Sequence, residues 1–146
     1  PAAGAARPAA AETVLPLAGL HLLLAEDNEL NSEIATALLE EQGASITAVE
    51  NGRLALEAIQ NAAPRTYDAI LMDVMMPEMN GLEATRCIRA YEGKGPGEGT
   101  PIIAMTANVF ADDVKACLDA GMNSHVGKPL DMKVLIGEIL KYTDAR

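Results

Sequence analysis

The feature that most constrains the fold is an alternation of short apolar runs with amphipathic segments through most of the chain. Each apolar run is four to seven residues long, and most lack the polar alternation of a half-exposed strand. Such runs are typical of parallel strands covered on both faces, and the segments between them are long enough for crossover helices. Five strands are predicted, at 20–25, 44–49, 67–73, 101–106 and 124–127.

Five helices are predicted between and after these strands, at about 29–42, 51–62, 82–92, 108–120 and from Asp131 onward. In the first helix, Leu30, Ile34 and Leu38 recur every four residues. Gly43 and Gly121 are placed to end two of the helices, and Asp131 can cap the last one. Because right-handed crossovers put helices on both faces of one sheet, the predicted fold is α/β, a doubly wound five-stranded parallel sheet with five helices.

Residues 1–19 differ from the rest because they are mostly Ala and Pro. They lack the basic start and the uninterrupted apolar stretch of a signal peptide. We interpret residues 1–19 as an interdomain linker or as a segment added for expression, and residues 20–146 as one domain.

The composition excludes several classes of function. The 146 residues carry a formal charge of −10, whereas a nucleic-acid binder is expected to present a basic face. No apolar run reaches the ~18 residues of a membrane span, so no membrane contact by this domain is predicted. Cys87 and Cys117 are far apart and fit reduced thiols in a cytosolic protein. His21 and His125 have no partner at metal-ligand spacing, so no zinc site is predicted.

Polar side chains follow four of the predicted strands at the point where each strand ends. Glu26 and Asp27 follow the first strand, Asp73 ends the third, Thr106 ends the fourth and Lys128 follows the fifth. In open parallel sheets, ligands bind at the carboxyl ends of the strands, near the switch in strand order. The sequence therefore predicts that these five residues share one edge of the sheet.

This set of residues indicates a particular chemistry. Carboxylates about 4 Å apart repel by roughly 4 kcal/mol per pair, so a cluster of three favours a bound cation, and all-oxygen ligands favour Mg²⁺. A metal, a lysine and a hydroxyl suit phosphoryl transfer, with Asp73 as the nucleophile that forms an acyl phosphate. Each residue also has a simpler possible role: Asp27 and Thr106 could cap helices, and Lys128 could be solvated.

Four motifs, in this order and at this spacing, resemble the receiver domains of two-component response regulators over residues 20–143. They are LLLAEDN, ILMDVMMPEMNG, IIAMTAN and HVGKP. The resemblance implies the flavodoxin-like receiver fold and transfer of a phosphoryl group from a phosphohistidine to Asp73. It also implies Mg²⁺ bound by Asp27, Asp73 and the backbone carbonyl of Met75, with Glu26 acting through water.

Two positions depart from the usual family pattern. Receivers often carry Tyr or Phe three residues before the lysine, as a switch coupled to the threonine. That position is His125 here, so Thr106 and His125 are the candidate switch pair. Met75 and Asn108 occupy positions that tune hydrolysis of the acyl phosphate in this family. An apolar Met75 cannot orient water, so a long-lived phosphoryl state is predicted.

The segments EDNELNSEIATALLEEQG and MNSHVGKPL resemble the receiver modules of hybrid sensor histidine kinases more than stand-alone regulators. The implied partners are a histidine kinase domain as donor and a histidine phosphotransfer domain as a further partner. The implied location is the cytoplasm, with or without a membrane anchor elsewhere in the parent protein. Within this chain, catalysis would be limited to its own phosphorylation and dephosphorylation.

Three alternatives remain open at this point. The chain could be a stand-alone response regulator, or a degenerate receiver that works only as a binding module. It could also be an aspartyl-phosphate phosphatase of the haloacid-dehalogenase type. That enzyme class needs a second Asp two residues after the nucleophile, where this sequence has Met75.

Overall fold

A five-stranded parallel sheet forms the centre of the protein, and a computed structural model describes residues 15–107 and 111–143. The strand order β2-β1-β3-β4-β5 reverses direction between β1 and β3, as in other doubly wound folds. The predicted α/β fold, with five strands and five helices, is confirmed. The elements are β1 (His21–Ala25), α1 (Glu29–Glu41), β2 (Ser45–Val49), α2 (Gly52–Asn61), β3 (Ala69–Asp73), α3 (Gly81–Glu92), β4 (Ile102–Thr106), α4 (Ala111–Ala120), β5 (Ser124–Gly127) and α5 (Met132–Thr143).

The two faces of the sheet are packed by different helices. Because side chains alternate along a strand, Leu22 and Leu24 face one way and Leu23 faces the other. The first face packs against buried residues of α1 and α5, such as Leu39 and Leu135. The second face packs against buried residues of α2, α3 and α4. The central strands β3 and β4 are buried along their whole length, which explains their unbroken apolar sequence.

The residues that α1 buries are not the apolar residues whose four-residue spacing predicts the helix. Its buried residues are Ala35 and Leu39. Leu30, Ile34 and Leu38 are 65%, 50% and 37% exposed, so a continuous apolar stripe faces outward.

The packed part of the chain begins before residue 20. Leu17, which the sequence analysis assigns to residues 1–19, is completely buried, and its N–H donates to Gln42 O at 2.9 Å. A Cβ on Gly43 would lie 2.8 Å from the Ala18 nitrogen, so the turn around Leu17 packs closely against the end of α1. Leu17 and Ala18 therefore pack against the domain that the sequence analysis begins at residue 20.

The helix ends follow local sequence signals. Asn28, Asn51 and Asn80 cap α1, α2 and α3, each accepting a hydrogen bond from a backbone N–H three residues later. The Asp131 carboxylate accepts from Lys133 N–H at 2.9 Å, which confirms the predicted cap of α5. The predicted start of the fourth helix at 108 lies outside the described residues. Within residues 15–107 and 111–143, no helix has both the length and the apolar character needed to cross a bilayer.

A buried arginine anchors the connection between α3 and β4. Arg89 is 9% exposed and donates to Gly121 O at 2.8 Å, Thr100 O at 2.8 Å and Asn123 Oδ1 at 2.9 Å. It also forms an ion pair with Glu92 at 3.0 Å. Burial lowers the pKa of Arg89, and the Glu92 carboxylate opposes that shift. The network ties α3 to the strand and turn at the amino end of the sheet.

Candidate functional site

Three acidic side chains meet at the carboxyl edge of the sheet, where the strand order reverses. One carboxylate oxygen from each of Glu26, Asp27 and Asp73 lies within 4.8 Å of the others. Glu26 and Asp73 are each 5% exposed, whereas Asp27 is exposed. The prediction that these acids share one edge of the sheet therefore holds.

Lys128 is in contact with two of the acids. Its Nζ lies 3.0 Å from Asp73 Oδ2 and 3.1 Å from Glu26 Oε1. Burial lowers the pKa of Lys128, but the hydrogen bonds and the negative charges of Asp73 and Glu26 outweigh it and leave the pKa raised. The side chain is therefore a charged bridge between strands and not the freely solvated lysine that the sequence also allowed. The Lys128–Pro129 peptide bond is cis.

The acceptor loop, residues 74–80 between β3 and α3, starts directly at Asp73. Asp73 Oδ1 accepts a hydrogen bond from the Met75 N–H at 3.3 Å, while Oδ2 faces Lys128. The side chain of Met75 is 78% exposed. The structure thus brings the Met75 backbone next to the predicted acceptor and leaves its side chain at the surface.

The predicted switch residues lie on the neighbouring strands. Thr106 ends β4 and is 7% exposed, and its carbonyl accepts from the Lys128 N–H at 2.9 Å. His125 is half-buried in β5 and pairs in register with Ala104, two residues before Thr106. Because side chains alternate along a strand, Thr106 and His125 project from the same face of the sheet. His125 stands outside the group of acids around Lys128.

The chemistry of the donors fits a hard divalent cation. Three carboxylates face one ammonium, so the cluster keeps excess negative charge. Oxygen ligands without His or Cys favour Mg²⁺ or Ca²⁺ over zinc. An exposed Asp27 beside two buried acids leaves one side of the cluster open to water, which suits the partly hydrated Mg²⁺ ion.

Sequence reasoning missed Asn28 and Gly52, which shape this site, whereas Gly81 belongs to the ILMDVMMPEMNG motif. The Asn28 N–H donates to Glu26 Oε2 at 3.1 Å, so the residue that caps α1 also fixes an acid. A Cβ on Gly81 would lie 2.3 Å from Asp73 O, and one on Gly52 would lie 2.4 Å from Met79 O. Glycine is favoured at both positions because two backbone segments approach closely there.

A groove of about 530 Å³ lies between residues of the site and α1. It is lined by Glu26 and Lys128 of the site and by Ile34 and Leu38 of the exposed α1 stripe. Pro129 and Leu130 also line the groove and add apolar surface to it. The groove therefore joins the charged site to an apolar surface.

Comparison with known proteins agrees with this geometry. The model of the response regulator receiver domain family matches residues 22–140. A relative, probable histidine kinase 1 of Oryza sativa subsp. indica, is 40% identical over 140 residues. That alignment covers 77% of this chain but only 14% of the kinase.

Two solved structures are also similar. The receiver domain of sensor histidine kinase PA1611 from Pseudomonas aeruginosa is 38% identical with a TM-score of 0.75, covering 87% of this chain and 99% of that one. It holds a magnesium ion in its active site cleft. The receiver domain of Ssk1 from Saccharomyces cerevisiae, solved with the histidine phosphotransfer protein Ypd1, matches at 25% identity and a TM-score of 0.76, covering 86% of this chain and 89% of that one. The chain belongs to the response regulator receiver domain family.

Proposed function

We propose that Asp73 accepts a phosphoryl group from a phosphohistidine on a partner protein. The observation that carries this proposal is the pairing of a buried acid with Lys128 at the open edge of the sheet, beside two further acids. A carboxylate placed in this way is close to a cation that can stabilise transferred charge, and the Met75 N–H fixes its orientation.

In the transfer, an oxygen of Asp73 forms a bond to phosphorus as the bond from phosphorus to the histidine nitrogen breaks. The histidine nitrogen keeps the electron pair of the broken bond and takes up a proton, while Asp73 becomes an acyl phosphate. Lys128 pairs with an oxygen of the phosphoryl group, and the Thr106 hydroxyl donates to another. Transfer onward to a phosphotransfer histidine is the reverse of this step.

Glu26, Asp27 and Asp73 are the side chains that would hold Mg²⁺, together with the backbone carbonyl of Met75. When bound, the ion supplies neutralisation of the charge on the phosphoryl oxygens. Without a cation, the excess negative charge of the cluster would repel an incoming phosphoryl group.

The exposed α1 stripe supports a helical partner that brings its histidine to Asp73. Leu30, Ile34 and Leu38 form an apolar ridge, and the groove that Ile34 and Leu38 line is also lined by Glu26 and Lys128. Apolar residues spaced four apart on a helix are suited to pack against another helix. A phosphotransfer domain docked on this ridge would place a histidine side chain over the acids.

The parent protein is proposed to be a hybrid sensor histidine kinase whose kinase region lies outside this chain, with this domain in the cytoplasm. The support is that the chain covers only 14% of the similar rice kinase. On phosphorylation, Thr106 and His125 would couple the site to the surface formed by β5 and its neighbours, because both project from the same sheet face.

Incubation with a small phosphodonor and Mg²⁺, followed by intact-mass measurement, tests the acceptor. We expect one phosphate adduct on the wild-type chain, none on Asp73→Asn and none after chelation of Mg²⁺. Asp119→Asn is the matched control, since Asp119 is an exposed acid on α4 that should leave the adduct unchanged. A wild-type chain that stays unmodified while a control receiver is phosphorylated would support a binding-only role.

A further inference from the structure

The acceptor loop contains a turn in an unusual backbone conformation. Met79 N–H donates to Pro77 O at 2.7 Å, which closes a three-residue turn around Glu78. Glu78 has φ +65°, in the left-handed region that side chains other than glycine rarely adopt. A γ-turn of this hand is strained, so neighbouring groups must offset its cost.

Two contacts from the start of α2 hold this turn. Arg53 Nε lies 3.2 Å from Glu78 Oε1, and Gly52 N–H donates to Met79 O at 2.9 Å. A Cβ on Gly52 would be 2.4 Å from the same Met79 oxygen, so the two backbones touch without space for a side chain. The turn therefore packs closely against the start of α2 and is held there by an ion pair and a hydrogen bond.

The other end of the loop is held against Asp73. Gly81 N–H donates to Val74 O at 2.9 Å, and the Met75 N–H donates to Asp73 Oδ1. Only one residue separates Met75 from the turn at Pro77. A change in the turn would consequently shift the Met75 backbone, whereas the side chains of Glu26, Asp27 and Lys128 come from other strand ends.

We propose that Arg53 is a positioning residue of the phosphoacceptor site. Through Glu78 it stabilises the strained turn, and through the turn it keeps the Met75 backbone beside Asp73. This inference rests on the proposed function, because it deepens the role of the same site.

Arg53 also pairs with Glu57 at 2.5 Å, one turn along the same helix. That contact offers a simpler explanation, in which Arg53 only stabilises α2. Glu57→Gln removes this helix pair and leaves the contact with Glu78, so it is the matched control for Arg53→Gln. Glu78→Gly removes the ion pair and at the same time relieves the left-handed strain, because glycine adopts φ +65° at no steric cost.

The first readout is amide hydrogen exchange of Met75 and Met79, which needs neither metal nor phosphate. We expect Arg53→Gln to speed their exchange about three- to fivefold, the range of a well-placed exposed ion pair, with Glu57→Gln near wild type. In a Glu78→Gly background, adding Arg53→Gln should produce no further change. Equal effects of Arg53→Gln in both backgrounds, or no effect in either, would overturn the inference.

The second readout is the Mg²⁺ concentration that gives half the maximal rate of phosphorylation by a small donor. Arg53→Gln should raise it by a similar factor of about three, without a change in the free energy of unfolding beyond that of Glu57→Gln. Equal shifts in the two variants would indicate a purely structural role and overturn the inference. Failure of the proposed function looks different: the wild type would then take no phosphate, and amide exchange would still decide the role of Arg53.

Discussion

Lys128 Nζ bridges Asp73 Oδ2 and Glu26 Oε1 although 55 and 102 residues separate the partners along the chain. Both acids are almost fully buried, and the lysine keeps only about a quarter of its side-chain exposure. Burial alone would favour a neutral amine, but the two carboxylates raise its pKa above the ordinary 10.5. The ammonium therefore stabilises the fold, in addition to its proposed role of pairing with the phosphoryl group.

Replacing Lys128 with Met should lower the free energy of unfolding by about 1–3 kcal/mol at neutral pH, because it leaves two buried acids without their cation. Since the folded-state pKa is raised, this contribution is fully present below pH 10.5 and is lost only as the pH rises through the folded-state pKa. Urea unfolding of both proteins from about pH 8 to pH 11.5 measures the difference. Lys133→Met, which replaces an exposed lysine on α5, is the control. If the difference in free energy of unfolding between the wild type and Lys128→Met stays constant to the highest pH, the Lys128 ammonium is not the source of the stability.

A charge introduced into the α1 ridge should weaken docking of the phosphotransfer domain without affecting the phosphorylation chemistry at Asp73. Ile34 is 50% exposed, so Ile34→Asp should change the free energy of unfolding by no more than about 0.5–1 kcal/mol. We expect transfer from a phosphorylated phosphotransfer domain to slow at least tenfold, because burying a new charge at an interface is costly. Phosphorylation by a small donor should be unchanged.

The matched control for the ridge is Val134→Asp on α5, where the side chain is 52% exposed but lies outside the groove. If both variants slow the protein donor equally, the surface effect is general and the ridge is not the docking site.

Met75 should govern the lifetime of the phosphoryl group. Its side chain is 78% exposed next to Asp73 and offers no group that can orient an attacking water molecule. Met75→Asn supplies such a group, so hydrolysis of the acyl phosphate should accelerate by about three- to tenfold, less than the ~10²-fold or more of a fixed general base because the side chain at this position is exposed. Loss of the phosphate adduct over time, followed by mass, gives the rate; Met75→Leu controls for the change in size. An Asn variant that decays at the wild-type rate would disprove this role.

Arg89 should be a stability residue that is independent of phosphorylation. Arg89→Met keeps much of the volume but leaves the carbonyls of Thr100 and Gly121 without the guanidinium donor and removes the cation that pairs with Glu92. Leaving such buried groups unpaired should cost about 2–4 kcal/mol, measured by urea unfolding. Arg86→Met on the exposed face of α3 should cost less than about 0.5 kcal/mol. A folded Arg89→Met protein that takes up no phosphate would show that the network also serves the site.

Much of this protein could be predicted from sequence because its signals are local and agree with one another. Short, mainly apolar segments located all five strands to within about two residues, and the strand-end rule placed Asp73 and Lys128 on one edge. The buried face of α1 was not predictable in this way. Leu30, Ile34 and Leu38 mark a helix, but spacing alone does not tell whether such a stripe meets the core or a partner.

Tertiary contacts determined what local patterns could not show. Arg89 has the appearance of an ordinary helix-surface cation in the sequence, yet it is buried because the segments around Thr100 and Gly121 converge on its guanidinium. The left-handed backbone of Glu78 carries no sequence signal, since glycine or asparagine is expected at such a position. Its conformation depends on contacts from α2, 25 residues earlier in the chain.

The long sequence separation inside the Lys128 bridge has a consequence for biogenesis. Glu26 and Lys128 come from opposite ends of the described chain, so the cluster exists only once β5 has joined the sheet. A nascent chain that lacks its last strand, or a protein whose edge strand has opened, holds the acids without their lysine. The phosphoacceptor site would then be complete only in the fully folded protein, and partly folded copies would not be phosphorylated.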